Sequence, residues 1–311
     1  MWENTNIKSP ITGSSNTQKE AEIFSSIIRK KYTEELDIDV SRFLQATEKI
    51  FVYKCLDSGY RFYYPFNITG DDAFYQNLEH FPWYYVDWKW EHGIAEKFVK
   101  KNDTVLEIGC ARGGFLKKIK TDGANVEGLE MNSDALKSCR EDGLSVYSET
   151  IEKFAPNKKN FYDIVCSFQV LEHIPDVKNF IESSLFALKP GGLMIISVPN
   201  NDSVIFRSGD ITLNMPPHHM GLWNMNSLIA LQKYFNIHLE SIYLEPLRES
   251  DIGFTDSLVK RELHTKLSKK LGIFGRLIEN MTKRFANLGI LAVSEYIVGH
   301  TIVVVFRKKY E

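Results

Sequence analysis

The residues with the clearest chemical meaning lie between Val105 and Glu130. The run Val105-Leu106-Glu107-Ile108-Gly109-Cys110-Ala111-Arg112-Gly113-Gly114-Phe115 reads as a strand, a glycine-rich turn and the start of a helix. Glycines at 109 and 113 permit positive φ and a close approach of ligand to backbone, while the first turn of the helix presents unpaired N–H groups. Glu130 ends the next apolar run, 21 residues after Gly109. A carboxylate there can accept two hydrogen bonds from a ribose diol. A dinucleotide dehydrogenase satisfies the same logic. Glu107 separates the two readings, because a carboxylate inside the first strand repels a pyrophosphate and favours a cationic amino-acid ligand. The G-x-G-x-x-G spacing of a dinucleotide site is also missing.

Such residues need a parallel sheet to hold them. From Asp103 to Asn200 short apolar runs alternate with helical stretches, the pattern of βαβ units. Strands are expected at 104–108, 125–130, 145–148, 162–167 and 193–198. Helices are expected at about 113–121, 132–142 and 177–188, the last ended by Pro190-Gly191-Gly192. A helix at about 226–234, a strand at about 238–244 and a final strand from His300 follow. Leu263, Leu267, Leu271, Phe274, Leu277, Ile278, Met281 and Phe285 recur at helical steps and predict an insertion over about 257–288. Residues 1 to about 20 are polar and are expected to form a loose arm. Residues 60–90 hold 13 aromatics, which form either a packed cap or an aromatic-lined pocket. The expected fold is α/β: a doubly wound, Rossmann-like sheet of seven strands ending in an antiparallel hairpin, with an aromatic-rich N-terminal cap and a helical insertion before the last strand. Residues 1–90 would form the arm and cap, and 91–311 the main domain.

Three ordered motifs resemble those of one family. Glu107 to Phe115 resembles motif I of class I S-adenosylmethionine-dependent methyltransferases, usually E/D-x-G-x-G-x-G, with Ala111 at the middle glycine. FYDIVCSFQVLEHIPD, from Phe161 to Asp176, resembles that family's fourth-strand motif, and LKPGGLMIISVPN, from Leu188 to Asn200, resembles its fifth strand. The resemblance implies S-adenosylmethionine as cofactor, with Glu107 near its amino group and Gly109, Cys110, Ala111 and Gly113 lining it. Glu130, with Met131 beside it, would hold the ribose hydroxyls, and Thr150 and Ile151 would cradle the adenine. Ser167 and Gln169 would sit beneath the methionine portion. Many relatives carry Asp where this chain has Thr150, so a polar contact to the adenine amine is not implied here.

Methyl transfer from a sulfonium is an in-line displacement, so the protein positions the nucleophile and removes the proton of a hydroxyl acceptor. The candidates for that task are His173 in LEHIP and the pair His218-His219 in NMPPHHMGLW, with His219 the leading general base. Some relatives ligate a divalent ion through E-x-x-E-H and a downstream histidine. Here Gln169 replaces the first Glu, leaving Glu172, His173 and one of His218 or His219. That set is short of carboxylates for Mg²⁺, and no metal is expected. The PPHH-x₃-W text resembles a subgroup that tailors sugars and secondary metabolites, which implies a small-molecule acceptor, foremost an oxygen of a sugar or glycan intermediate. Nitrogen or carbon acceptors, or a non-catalytic binding module on the same scaffold, are the alternatives.

Ser9-Pro10-Ile11-Thr12-Gly13 and Cys55-Leu56-Asp57-Ser58-Gly59 resemble the knuckles of a zinc ribbon, C-P-x-C-G and C-x-x-C-G. Three of the four ligand positions are Ser or Thr, so zinc is not expected. The balance of 38 Lys and Arg to 40 Asp and Glu, a net charge of -2, argues against a nucleic-acid partner. Four scattered cysteines without a C-x-x-C pair fit a reducing compartment. No apolar run is long enough to span a membrane and the N-terminus carries no signal-like segment, so a cytoplasmic protein is expected. Lys260, Arg261, Lys266, Lys269, Lys270, Arg276, Lys283 and Arg284 give the expected insertion a basic face, suited to solvent, or to peripheral contact with a membrane or a phosphorylated substrate.

Overall fold

The structure is a computed structural model that describes residues 7–207, 211–246 and 298–310. The expected insertion at 257–288, with its basic face, lies outside the described residues. The chain divides into two compact units, one of Met1–Pro199, Thr212–Tyr243 and Ile302–Glu311, the other of Asn200–Ile211 and Leu244–Thr301. In the second unit, the Asn200 N–H donates to the carbonyl of His300 at 2.7 Å. Among the described residues no helix is long and apolar enough to cross a membrane.

The strands are β1 (Thr17–Phe24), β2 (Lys49–Cys55), β3 (Arg61–Tyr64), β4 (Thr104–Ile108), β5 (Asn125–Leu129), β6 (Ser145–Tyr147), β7 (Tyr162–Phe168), β8 (Leu188–Pro199), β9 (Gly221–Leu222), β10 (Ile237–Pro246) and β11 (Val298–Lys308). The helices are α1 (Ser25–Leu36), α2 (Ser41–Leu44), α3 (Asp72–Glu79), α4 (Trp90–Ala95), α5 (Gly114–Thr121), α6 (Ser133–Glu141), α7 (Ile151–Phe154), α8 (Val177–Ala187), α9 (Val204–Arg207) and α10 (Met225–Ala230). Seven strands form one sheet in the order β10-β11-β8-β7-β4-β5-β6. Its core from β6 to β8 is parallel throughout. β4 lies between β5 and β7, and Val105 and Leu106 are fully buried, which accounts for its nearly unbroken apolar text.

Two local expectations are revised. The helix at 177–188 is not ended by Pro190-Gly191-Gly192: β8 begins at Leu188, paired with Tyr162, and the Pro-Gly-Gly triplet lies inside the strand. The register slips between Tyr162 and Ile164, so the proline, which has no N–H, sits at an irregularity rather than in the regular ladder. The helix expected at 226–234 is α10 followed by a 3₁₀ turn at Leu231–Lys233. Asn224 starts α10 by accepting the Ser227 N–H, and the Ser227 hydroxyl accepts the Asn224 N–H in return.

The loose arm expected over residues 1–20 is also corrected for its described part. β1 pairs antiparallel with β2 in a second sheet of order β1-β2-β3-β9, and the Thr17 hydroxyl donates to the carbonyl of Ile7 at 2.7 Å. Ile11 is 1% exposed and belongs to the same apolar core as Leu106 and Trp223. β1 escapes a hydrophobicity reading because it is an edge strand with no buried residue of its own, held by hydrogen bonds to β2. The aromatics of residues 60–90 divide. Tyr60, Phe62 and Phe74 are buried, whereas Trp83 and Trp88 are exposed.

Two tight turns lie at the base of this second sheet. The Gly13 N–H donates to the Ser9 carbonyl and the Gly59 N–H to the Cys55 carbonyl, and both glycines hold φ near +70°. Thr12 Oγ1 stands 3.7 Å from Cys55 Sγ. Burial pushes the Cys55 thiol up, but hydrogen bonds from Ser58, Ser9 and Thr12 outweigh it and hold its pKa below the ordinary value.

Ile11→Ala should cost about 2–5 kcal/mol in denaturant unfolding, as for other buried aliphatics, whereas a residue on a loose arm would cost almost nothing. A second prediction concerns His92 on α4. Its ring packs on Phe115 and Phe168, at centroid distances of 5.5 and 4.9 Å, and burial lowers its pKa to about 3. A folded pKa below the unfolded value of about 6.5 gives stability that is complete above pH 6.5 and lost as pH falls toward 3. His92→Phe should therefore lose less stability than the parent between pH 7 and pH 4.5, and equal losses would contradict this account.

Candidate active site

β4 ends in a turn whose backbone is left-handed at three positions. Gly109 and Gly113 have φ of +73° and +72°, and Ala111 has φ of +47°. Ala111 stands where the family motif has glycine and tolerates the left-handed conformation at a cost of about 1–2 kcal/mol. A Cβ on Gly109 would come within 2.5 Å of Val170, and one on Gly113 within 2.5 Å of Leu144. A Cβ on Gly114 would stand 2.0 Å from the Asp87 carbonyl, so the segment leading into α4 crosses directly over the turn. Cys110 is buried, and its N–H donates to the Leu129 carbonyl at 3.1 Å. Its thiol is pushed well up by hydrogen bonding with Cys139 and by burial.

Two buried carboxylates flank the turn. Glu130 Oε2 accepts the Ala111 N–H at 2.8 Å and its Oε1 accepts the Asn132 N–H at 2.7 Å. Each oxygen retains a further lone pair. Burial raises the Glu130 pKa against the opposing effect of these N–H groups. Asn132 caps α6 through the N–H groups of Asp134 and Ala135, and its Nδ2 donates to Glu79 Oε2 at 3.1 Å. Glu79, on α3, also receives Arg112 from the glycine turn at 2.7 Å. Glu107 is 2% exposed, and its Oε2 has no hydrogen-bond partner among the described residues. Burial drives its pKa well above the carboxylate range, with Lys89 pulling the other way. An orphaned carboxylate oxygen of this kind fits a cationic group such as an amino acid's ammonium.

The other cofactor candidates differ in what they expose. Met131 is 54% exposed, Thr150 is exposed at the start of α7, and the Ile151 side chain is buried in the core. Ser167 is buried, and its hydroxyl has no partner among the described residues. Gln169 holds φ of +56° and its Nε2 donates to Glu91 Oε1 at 3.3 Å and Ser197 Oγ at 3.4 Å.

Immediately after Val170, which touches the glycine turn, a 3₁₀ turn at Leu171–His173 begins the second group. His173, His218 and His219 come together: the rings of His218 and His219 stack at 4.5 Å, and His173 lies 4.5 and 5.0 Å from them. Hydrogen bonds from other segments hold the loop bearing the pair. Tyr32 and Tyr63 donate their hydroxyls to the carbonyls of Met215 and Asn214, the Tyr63 N–H donates to the Met220 carbonyl, and the Met220 N–H donates to the Glu172 carbonyl. Burial lowers the His173 pKa to about 4 and those of His218 and His219 well below the ordinary value. All three are therefore neutral imidazoles at neutral pH. Glu172 is 1% exposed, and burial raises its pKa to about 8.

The residues named from sequence thus fall into two groups, one around the ends of β4, β5 and β6, the other beside β7. Sequence reasoning missed Glu79, Lys89, Glu91, Tyr84 and Asn214. They come from the cap and a distal loop, and no local spacing marks them.

The comparisons with known proteins agree with this geometry. A family model described as a methyltransferase domain matches residues 83–241, just over half of the chain. A ubiquinone biosynthesis O-methyltransferase of Erwinia tasmaniensis is 32% identical over 124 residues, 38% of this chain and 49% of that protein. One from Klebsiella pneumoniae is 34% identical over 119 residues, 35% of this chain and 48% of that protein. The chain matches about half the length of these curated relatives. Among solved structures, a chain of the Haloferax volcanii complex that contains the Trm112 methyltransferase activator has a TM-score of 0.50 at 16% identity, over 71% of this chain and 90% of that one, a likeness of fold alone. With a parallel sheet that carries two buried carboxylates around a glycine turn, and with the family match over half its length, the chain belongs to the S-adenosylmethionine-dependent methyltransferase family.

Proposed function

We propose that this protein transfers a methyl group from S-adenosylmethionine to a hydroxyl oxygen of a small molecule. The observation that carries the reading is Glu107, a buried carboxylate with one oxygen unpartnered among the described residues, beside a glycine turn whose far side carries Glu130. Glu107 would hold the ammonium of the amino-acid portion, and the backbone of Gly109, Cys110, Ala111 and Gly113 would pack along it. Glu130 would accept the ribose hydroxyls on its remaining lone pairs. Met131, Thr150 and Ile151 would border the adenine, and Ser167 and Gln169 the methionine side. The cofactor supplies an electrophilic methyl on a sulfonium, whose S–C bond breaks as the acceptor's O–C bond forms, the bonding pair returning to sulfur.

The proton of the acceptor hydroxyl would be drawn off at the histidine cluster, His219 with His218 and His173, whose neutral rings carry lone pairs at working pH. A hydroxyl of a sugar or glycan intermediate is the acceptor that the PPHH text favours. A ring hydroxyl is the second reading, supported by relatives named ubiquinone biosynthesis O-methyltransferases. The degenerate knuckles at Ser9, Thr12, Cys55 and Ser58 we read as structural turns in which hydrogen bonds replace metal ligation.

Calorimetric titration with S-adenosylmethionine and with its demethylated product tests the cofactor site. Wild-type protein should bind both, and Glu130→Gln should weaken binding by roughly 10- to 150-fold, the loss of a charged hydrogen bond worth about 1.5–3 kcal/mol. Absence of binding to either ligand in folded protein would overturn the reading. With binding established, transfer of labelled methyl to a sugar alcohol or to an ortho-diphenol separates the two acceptor classes.

A further inference from the structure

We propose that Cys110 and Cys139 are a site of reversible oxidation, at which a peroxide converts the two thiols to a disulfide that ties α6 to the glycine turn. Cys110 lies inside the turn, between Gly109 and Ala111, and Cys139 lies in α6. Packing brings both sulfurs to one carbonyl. Cys139 Sγ donates to the Ala111 oxygen at 3.2 Å, and Cys110 Sγ stands 4.0 Å from the same oxygen. The thiols also hydrogen-bond to each other. Two glycines make room for them: a Cβ on Gly128 would come within 2.7 Å of Cys110 Sγ, and one on Gly113 within 3.0 Å of Cys139 Sγ.

A buried cysteine ordinarily serves as a small apolar side chain. Cys166 has that role here, with its thiol donating to the Leu106 carbonyl at 3.5 Å and its pKa driven well up by burial. The Cys110–Cys139 pair differs because each sulfur acts on the other. Hydrogen bonding from Cys110 lowers the Cys139 pKa against the effect of burial, and the same bond raises that of Cys110. Cys139 is therefore the attacking thiol and Cys110 the one that resolves. The ion pair of Lys117 and Asp142, 40% and 46% exposed, acts electrostatically on Cys139, so this thiol lies near the protein surface, within reach of a small oxidant once the pair parts.

Cys139 loses its proton and attacks one oxygen of hydrogen peroxide. The S–O bond forms as the O–O bond breaks, and the departing hydroxide takes up the proton to leave as water. Cys110 then attacks the sulfenic sulfur, the S–S bond forms as the S–O bond breaks, and the second hydroxide leaves as water with the Cys110 proton. Two electrons pass from the sulfurs to the peroxide, and a thiol reductant returns them.

The disulfide sets the sulfurs about 2.05 Å apart and removes the S–H that Cys139 donates to Ala111. The Ala111 N–H is held by one oxygen of Glu130, and the other oxygen holds the N–H of Asn132, which caps α6. A cross-link between turn and helix thus acts on both partners of the carboxylate assigned to the ribose. The modification stands on the thiol pair itself, while its effect on the cofactor rests on the proposed site.

The test treats the full chain with hydrogen peroxide, then unfolds and alkylates it. Peptide mass mapping should show Cys110 linked to Cys139, with Cys55 and Cys166 alkylated, and all four cysteines alkylated after dithiothreitol. In calorimetric titration with the demethylated cofactor, oxidised protein should bind roughly 10-fold or more weakly, the scale of one charge-assisted hydrogen bond, and reduction should restore the affinity. Cys139→Ser and Cys139→Ala, verified as folded by thermal melts, should bind the cofactor and lose the peroxide effect. Oxidised wild-type protein without the Cys110–Cys139 link, or with the link and an unchanged affinity, would overturn the proposal, as would a peroxide effect that persists in the folded Cys139 variants. Reduced wild-type protein that binds no cofactor would count instead against the proposed function, and the mapping would still decide the thiol pair.

Discussion

Much of this molecule depends on one buried carboxylate. Glu130 accepts the N–H of Ala111 from the glycine turn and the N–H of Asn132 at the start of α6, so a single side chain joins the end of β5 to the turn after β4. A carboxylate removed from water is costly unless hydrogen bonds replace its hydration, and here backbone N–H groups supply them. The arrangement holds the turn in a left-handed conformation even where Ala111 stands in place of glycine. Asn132 extends the network to Glu79, and Glu79 to Arg112, so the cap is tied to the same turn from outside the sheet.

Glu107 poses the complementary problem. Its Oε2 is buried and lacks a hydrogen bond among the described residues, so the protein carries an electrostatic demand that a cationic group satisfies. The two acids divide the work. Glu130 uses both oxygens to hold the turn and the start of α6, whereas Glu107 leaves its Oε2 unbonded among the described residues.

The histidine group has a different origin. Its members are separated by 45 residues between His173 and His218, and they meet because α1 and the second sheet clamp the loop that carries the pair. Tyr32 and Tyr63 lie far from that loop in sequence, yet their hydroxyls hold its backbone. The N-terminal region is therefore part of the site's construction, although its own text is polar at the start and aromatic later. Trp223, fully buried and 4.2 Å from the Tyr60 ring, fastens the same loop to the core where it enters β9 and α10.

What the amino-acid sequence alone determined is the local chemistry: β4 with its turn, the acid ending β5, the parallel sheet implied by alternating βαβ text, and the histidine types near β7. These are legible because period, glycine and charge act over a few residues. Tertiary structure decided the rest. β1 has no buried residue to betray it, Pro190-Gly191-Gly192 enters a strand because β7 captures Leu188, and Ile11 leaves a polar stretch for the core. The pairing of Glu79 with Arg112 and Asn132, and the convergence of three rings with their Nδ1 atoms engaged, depend on contacts between segments that share no local pattern. Burial set the ionisation of those groups, and burial is a property of the packed chain rather than of any window of its sequence.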